Sequence, residues 1–249
     1  MSEWWKYRLS DFLLFSSQTY YRLFELYNAA IWPGQGIAVV LGIAIWMLLR
    51  RPDGFRGRVI AAILAAGWLW IAFAFHLRRY ATINWAAVYF AWGFVLQAAL
   101  LIWSGVIRGR LKFEPRGDRV ARIGPWIFLF ALFVQPLIGP LLGRSWRQVE
   151  IFGVAPDPTA VATLGLLLVV AGRVRWELMV VPSIWCAISG AALWTLRAPD
   201  KWVMPVTALL VVGLGFWRTR GRKLSGAKGG TRAGRRSADA NYVRGRRFH

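Results

Sequence analysis

The chain predicts an all-α fold, a polytopic bundle of transmembrane helices, and three observations predict it. Seven long stretches contain no Asp, Glu, Lys, Arg or His: 26–49, 59–75, 81–107, 123–143, 158–172, 178–196 and 202–217. Several of them reach the ~17–25 residues with which a helix rising 1.5 Å per residue crosses ~30 Å of hydrocarbon. At 57% hydrophobic and 17% charged residues, a soluble globule of this size would lack the polar groups to cover its surface. The basic residues also alternate. Segments after the first, third, fifth and seventh stretches hold 23 of the 32 Lys and Arg, and the other segments hold nine. Because Lys and Arg are biased toward the cytoplasmic side, the N-terminus is expected outside and the C-terminus inside.

Taken in order, residues 1–25 predict an interfacial amphipathic segment. Phe12, Leu13, Tyr20, Leu23, Phe24 and Tyr27 fall near one helical face, with Arg22 and Glu25 away from it. Ser16 to Thr19 interrupt the short apolar run after Lys6 and Arg8, and no small-residue cleavage site follows, which argues against a cleavable signal. Residues 26–217 are the helix bundle. Its first two spans are joined by a turn with Pro52, Gly54 and four arginines. The second and third meet through His76–Tyr80, so they are antiparallel neighbours. The third span, at 27 residues, exceeds the bilayer core and predicts tilt or projection. Pro136 and Pro140 predict a kinked or broken fourth helix. The fifth stretch is short, so the count is about seven spans, or six if 158–172 is a re-entrant half-helix. Residues 218–249, rich in Gly, Arg, Lys and Ser, predict a disordered basic cytoplasmic tail.

The net charge of +21 would suggest nucleic acid in a soluble protein. Here most of it falls where anionic lipid headgroups attract basic residues at about 1 kcal/mol each, so the expected partners are the bilayer and its anionic headgroups at the tail. Trp32, Trp85, Trp126, Trp202 and Trp217 lie near stretch ends, where indoles anchor at the headgroup boundary. The single cysteine, Cys186, excludes an intrachain disulfide and a multi-cysteine metal site. No nucleophile elbow, phosphate loop or paired-histidine zinc helix is present, so the sequence points to no enzyme and no cofactor.

The stretches themselves carry no carboxylate, which argues against a proton-driven carrier. Gln97 and Gln135 are intramembrane polar groups suited to interhelical hydrogen bonds. Chemically varied residues gather instead in the segments assigned to the outside: Arg22, Glu25, Asn28, His76, Arg78, Arg79, Tyr80, Asn84, Arg144, Arg147, Glu150 and Asp157. A shallow polar site at the outer mouth, roofed by the N-terminal helix, is the expectation. Asp157, between Pro156 and Pro158, reads as the N-cap of the fifth helix. His76 lacks a ligand-spaced partner, so no metal is assigned to it.

Tyr21 to Asn28, Phe75 to Tyr80 with Ile83 to Ala86, and Glu150 to Thr159 followed by Ala162 to Gly165 resemble motifs of a family of uncharacterised multi-pass bacterial membrane proteins. Some members are labelled permeases of the major facilitator type. The resemblance covers roughly residues 1–215. It implies a bacterial inner-membrane protein and directs attention to Arg22, Glu25, Asn28, His76, Tyr80, Asn84, Glu150 and Asp157. It carries no established activity. Three readings follow: a small-solute transporter or permease-like protein, acting as a homo-oligomer or with a membrane partner; a non-transporting scaffold, sensor or assembly partner; and, third, a membrane enzyme or metal handler built on His76.

Overall fold

The computed structural model describes residues 15–51 and 53–221. Expectations for Phe12, Leu13 and the tail beyond residue 221 lie outside the described residues. The helices are α1 (Ser17–Ala30), α2 (Gly34–Leu49), α3 (Gly54–Trp70), α4 (Ala87–Leu101), α5 (Arg119–Leu129), α6 (Gln135–Leu141), α7 (Pro156–Val169) and α8 (Trp176–Thr195). A last helix, α9, occupies 203–221. Among the described residues, the only extended pairing is an isolated bridge between Phe113 and Val170.

Local chemistry explains the boundaries. Ser16, Asp53 and Asp118 each accept a backbone N–H three residues on, at 3.2, 2.7 and 2.8 Å, and so start α1, α3 and α5. Four helical runs are long and apolar enough to cross a membrane: Gly54–Thr82, Ala87–Ile107, Arg119–Leu141 and Trp176–Thr195. α1 and α2 make a fifth only if their 86° bend is counted within one span.

Several expectations change. The first stretch is not one helix, because the chain turns at 31–33 and α1 runs across the end of the bundle. The third stretch is not over-long. Residues 80–86 fold as a tight turn, in which Asn84 Oδ1 accepts from Ala86 N at 3.0 Å, and the helix begins at Ala87. Near the prolines of the fourth stretch, the irregularity is a π-helical turn over Phe130–Val134, with Pro136 in the first turn of α6 where its missing donor is harmless. α9 continues past the expected tail boundary and buries Arg218.

The fifth stretch becomes the centre of the bundle. All fourteen residues of α7 are buried, so its surroundings are protein on every side, chiefly α5, α8 and α3. α5 and α7 approach backbone to backbone: a Cβ on Gly124 would lie 2.5 Å from the Gly165 carbonyl oxygen, which explains glycine at both positions. At 1.5 Å per residue α7 is about 21 Å long, short of ~30 Å of hydrocarbon. The outer surface is the reverse of a soluble protein's. Ile37, Val40, Met47, Leu96, Val180, Ile184 and Leu209 are exposed, as are Trp32, Trp85, Trp126, Trp202 and Trp217.

Candidate functional site

The candidate site is assembled at one end of the bundle by α1, the 78–86 turn, the 142–155 loop and the 196–202 loop. α1 is held there by its aromatic face. Tyr20, Phe24 and Tyr27 pack against Phe75 and Tyr80 with ring centroids 5.0–6.1 Å apart. Tyr27 donates to the Val154 carbonyl at 2.8 Å and accepts from Trp70 Nε1 at 2.9 Å. Asn28 Nδ2 donates to the carbonyls of Arg147 and Val149 at 2.9 and 2.8 Å. The apolar face of α1 is thus occupied by protein. Its polar face holds the Arg22–Glu25 pair at 2.9 Å, with Arg147 3.9 Å from Glu25.

Between these elements opens a vestibule of about 860 Å³. Arg22, Arg78, Arg79 and Arg144 line it, with Tyr21 and Thr82 among the groups between them. A local motif brings Arg144 to its floor. α6 ends with Gly143 at φ +92°; Gly143 N donates to the Pro140 carbonyl at 3.1 Å and Arg144 N to the Gly139 carbonyl at 2.9 Å. This Schellman ending satisfies the last carbonyls and aims the next side chain back along the helix. The guanidinium comes to rest against Gly139, where a Cβ would lie 2.3 Å from Arg144 Nε.

Arg144 then reaches below the surface. One terminal nitrogen lies 3.3 Å from Glu150 Oε1 and the other 2.9 Å from Asp200 Oδ2, and all three side chains are only 10% exposed. The guanidinium also sits over the Tyr21 ring, 4.8 Å from its centroid. Asp157 completes the lining of a pocket of about 20 Å³, together with Gln135, Glu150 and Asp200, enough for about one water-sized group. Asp157 is not the N-cap of α7, which is Ala155. Its two carboxylate oxygens accept from Trp185 Nε1 at 2.8 Å and Ser189 Oγ at 2.6 Å. By contrast Glu150 Oε2, Asp200 Oδ1, Gln135 Oε1 and Arg144 Nε are buried without partners. Burial pushes the Glu150 carboxyl above its ordinary value; Asp157 adds to that shift and Arg144 opposes it.

The expected site residues therefore divide. Glu150 and Asp157 enter the buried pocket, while Arg22 and Arg79 line the vestibule. Glu25 and Asn28 lie on a neighbouring cleft of about 440 Å³ with Trp32 and Arg147. Tyr80 and Asn84 are structural, in the core and in the turn before α4. His76 stands apart from the carboxylates. It is fully buried in an aromatic box, with Phe94 and Trp185 centroids at 4.5 and 5.0 Å, and neither ring nitrogen has a hydrogen-bond partner. Among the described residues no three His, Cys, Asp or Glu side chains are placed so that they could hold a metal ion together. Gln97 is remote, donating to the Leu178 carbonyl at 3.0 Å, whereas Gln135 joins the pocket and touches Met204 Sδ at 3.5 Å.

Sequence reasoning passed over Asp200 and did not single out Arg144 from its neighbours. A signal for Arg144 was present in Gly139-Pro-Leu-Leu-Gly143, a helix stop followed at once by a cation. Nothing local marks Asp200, which reaches Arg144 from 56 residues away. Over residues 17–226 the chain matches DUF6064, a family of unknown function. No curated protein and no solved structure matches it.

Proposed function

Starting from the premise that this chain belongs to the DUF6064 family, we propose that it is a multi-pass, permease-like protein of a bacterial inner membrane that admits a small solute from the outer face. In this reading the vestibule faces outward, the N-terminus is outside and the C-terminus cytoplasmic. The observation that carries it is the meeting of two chambers at Arg144, directly above the N-terminus of a buried helix too short to span a bilayer unaided. Polar groups at both ends of α7 narrow the apolar distance a solute must cross. Sequence argued against a proton-driven carrier because no carboxylate lies within a stretch. The carboxylates of Glu150, Asp157 and Asp200 are nevertheless withdrawn from the surface, because the loops that carry Glu150 and Asp200 fold inward over the first turn of α7, where Asp157 stands. This reading restores them to consideration as groups inside the protein.

A second reading, a sensor or docking protein, is favoured by the region beneath Asp157. There Thr159 and Thr163 donate to carbonyls one turn back at 2.7 Å, and Trp68 Nε1 donates to Thr163 at 2.9 Å, so this part of α7 is satisfied and closed. The test is uptake of small metabolites and metal ions into proteoliposomes. Flux that is lost in Arg144→Gln and Asp157→Asn but kept in His76→Ala, with helicity unchanged, supports the permease reading. Binding without flux supports the sensor, and neither, across a broad screen, sinks the permease.

A further inference from the structure

Arg144 is a single cation with two possible tasks. Inside, among the described residues, it is the only cationic side chain lining the pocket that holds Glu150, Asp157 and Asp200. Outside, it is one of four arginines lining the vestibule, and its buried Nε has no acceptor. Among the described residues no carboxylate lines the vestibule itself. Of the four, Arg78 and Arg79 carry no ion pair among the described residues, and a wall of guanidinium groups suits a small oxyanion, which two or more of them can hold through paired N–H···O contacts.

We propose that the vestibule binds a small dianion bearing carboxylate, sulfonate or similar oxygens, and that this binding draws one proton onto Glu150. The inference deepens the outer-site reading and rests on it, but it does not depend on flux. Its physical reason is competition for one guanidinium. An anion on the vestibule side shares the charge of Arg144, and the two carboxylates behind it lose counter-charge while staying buried. An uncompensated buried carboxylate is costly enough that the group takes up a proton instead.

The hydrogen bonds identify which carboxylates are free to respond. Burial raises the Asp157 carboxyl above its ordinary value, but both of its oxygens already accept, from Trp185 and Ser189, and those bonds oppose the shift and occupy the sites a proton would take. Glu150 Oε2 accepts nothing, so an O–H bond can form there without breaking an existing contact. The proton comes from the buffer acid. Around Glu150 the titratable and charged groups are Arg144 from its own loop, Asp157 from α7, Asp200 from the loop before α9, and Tyr20 and Tyr21 from α1. Among these Arg144 is the only cation, so nothing else in this set replaces the charge it withdraws.

The experiment is calorimetric titration of the full chain in detergent with sulfate and with ethane-1,2-disulfonate. Both probes stay fully ionised, so any proton exchanged belongs to the protein. Repeating the titration in buffers of different ionisation heat counts the protons. The expected result is binding with net uptake approaching one proton. Affinity rises as pH falls, by up to about tenfold per pH unit, between the pKa of Glu150 in the free protein and its higher pKa in the bound one. Below that window Glu150 already holds its proton and the slope flattens. Glu150→Gln should keep binding and abolish uptake. Arg79→Gln should weaken binding and leave the proton count unchanged. Binding with no proton exchange from about pH 6 to 9.5 overturns the coupling and leaves the outer site standing. No binding of either anion, alongside flux of some other solute, overturns the anion site and spares the permease reading.

Discussion

Two buried arginines, one near each end of α7, make opposite use of the same chemistry. Arg218 on α9 lies 2.6 Å from Asp118 Oδ2 and donates to the carbonyls of Leu168 and Val170 at 3.0 and 2.9 Å. It places a cation at the negative end of the helix dipole and satisfies carbonyls that end α7. Its acidic partner is at the same time the N-cap of α5, so one ion pair ties three helices together. Arg144, beyond the N-terminus of α7, faces two carboxylates with a third nearby, and leaves its own Nε and two carboxylate oxygens without partners. The first arrangement is complete as structure. The second retains unused donors and acceptors beside an open vestibule, which is the reason to assign function to that end.

The largest expected effect comes from breaking the complete end. Arg218→Met should destabilise the protein by about 3–5 kcal/mol, because it strands the buried carbonyls of Leu168 and Val170 and empties the space its side chain fills. Thermal unfolding in detergent would read it, and a loss below about 1 kcal/mol would refute the capping role. Arg144→Met should cost about 3 kcal/mol at alkaline pH and much less in acid. The sign follows from linkage. Without Arg144 the folded-state pKa of Glu150, already raised by burial, rises further above its unfolded value. Stability is then full below the ordinary carboxylate range and is lost as pH rises through the raised value. Arg218→Met should lack this recovery, since the carbonyls it strands do not titrate. The smallest effect sharpens the same contrast. Gly139→Ala puts a methyl group where the Arg144 guanidinium rests, and should cost about 1 kcal/mol by overpacking while weakening sulfate binding, because the guanidinium must move. Unchanged anion affinity would show that its position against Gly139 is irrelevant to the vestibule.

Much of this organisation is legible along the chain. Hydropathy marks the apolar helices because each must present apolar surface over its whole length, and that property belongs to consecutive residues. Caps such as Ser16, Asp53 and Asp118 are legible for the same reason, since their bonds reach only three residues on. Hydropathy does not distinguish what lies around a helix. Nothing in 158–172 says that α7 is enclosed by protein while 178–196 exposes Val180 and Ile184, because both are simply apolar. The same blindness made 26–49 look like one span, although the chain bends by 86° between α1 and α2.

The site divides along the same line. Charge placement assigned Arg22, Arg79, Glu150 and Asp157 to one end, because loop polarity is a one-dimensional pattern. It also assigned His76 there, although the helix winds on through that position and buries the ring against Phe94 and Trp185. By itself, then, the sequence determined an all-helical apolar chain, the location of its polar loops and the charge on each. Only the tertiary structure decided that Arg144, Glu150, Asp157 and Asp200 share one pocket. It also decided which of their atoms are already satisfied, because burial and pairing depend on loops up to 56 residues apart folding over the same short helix.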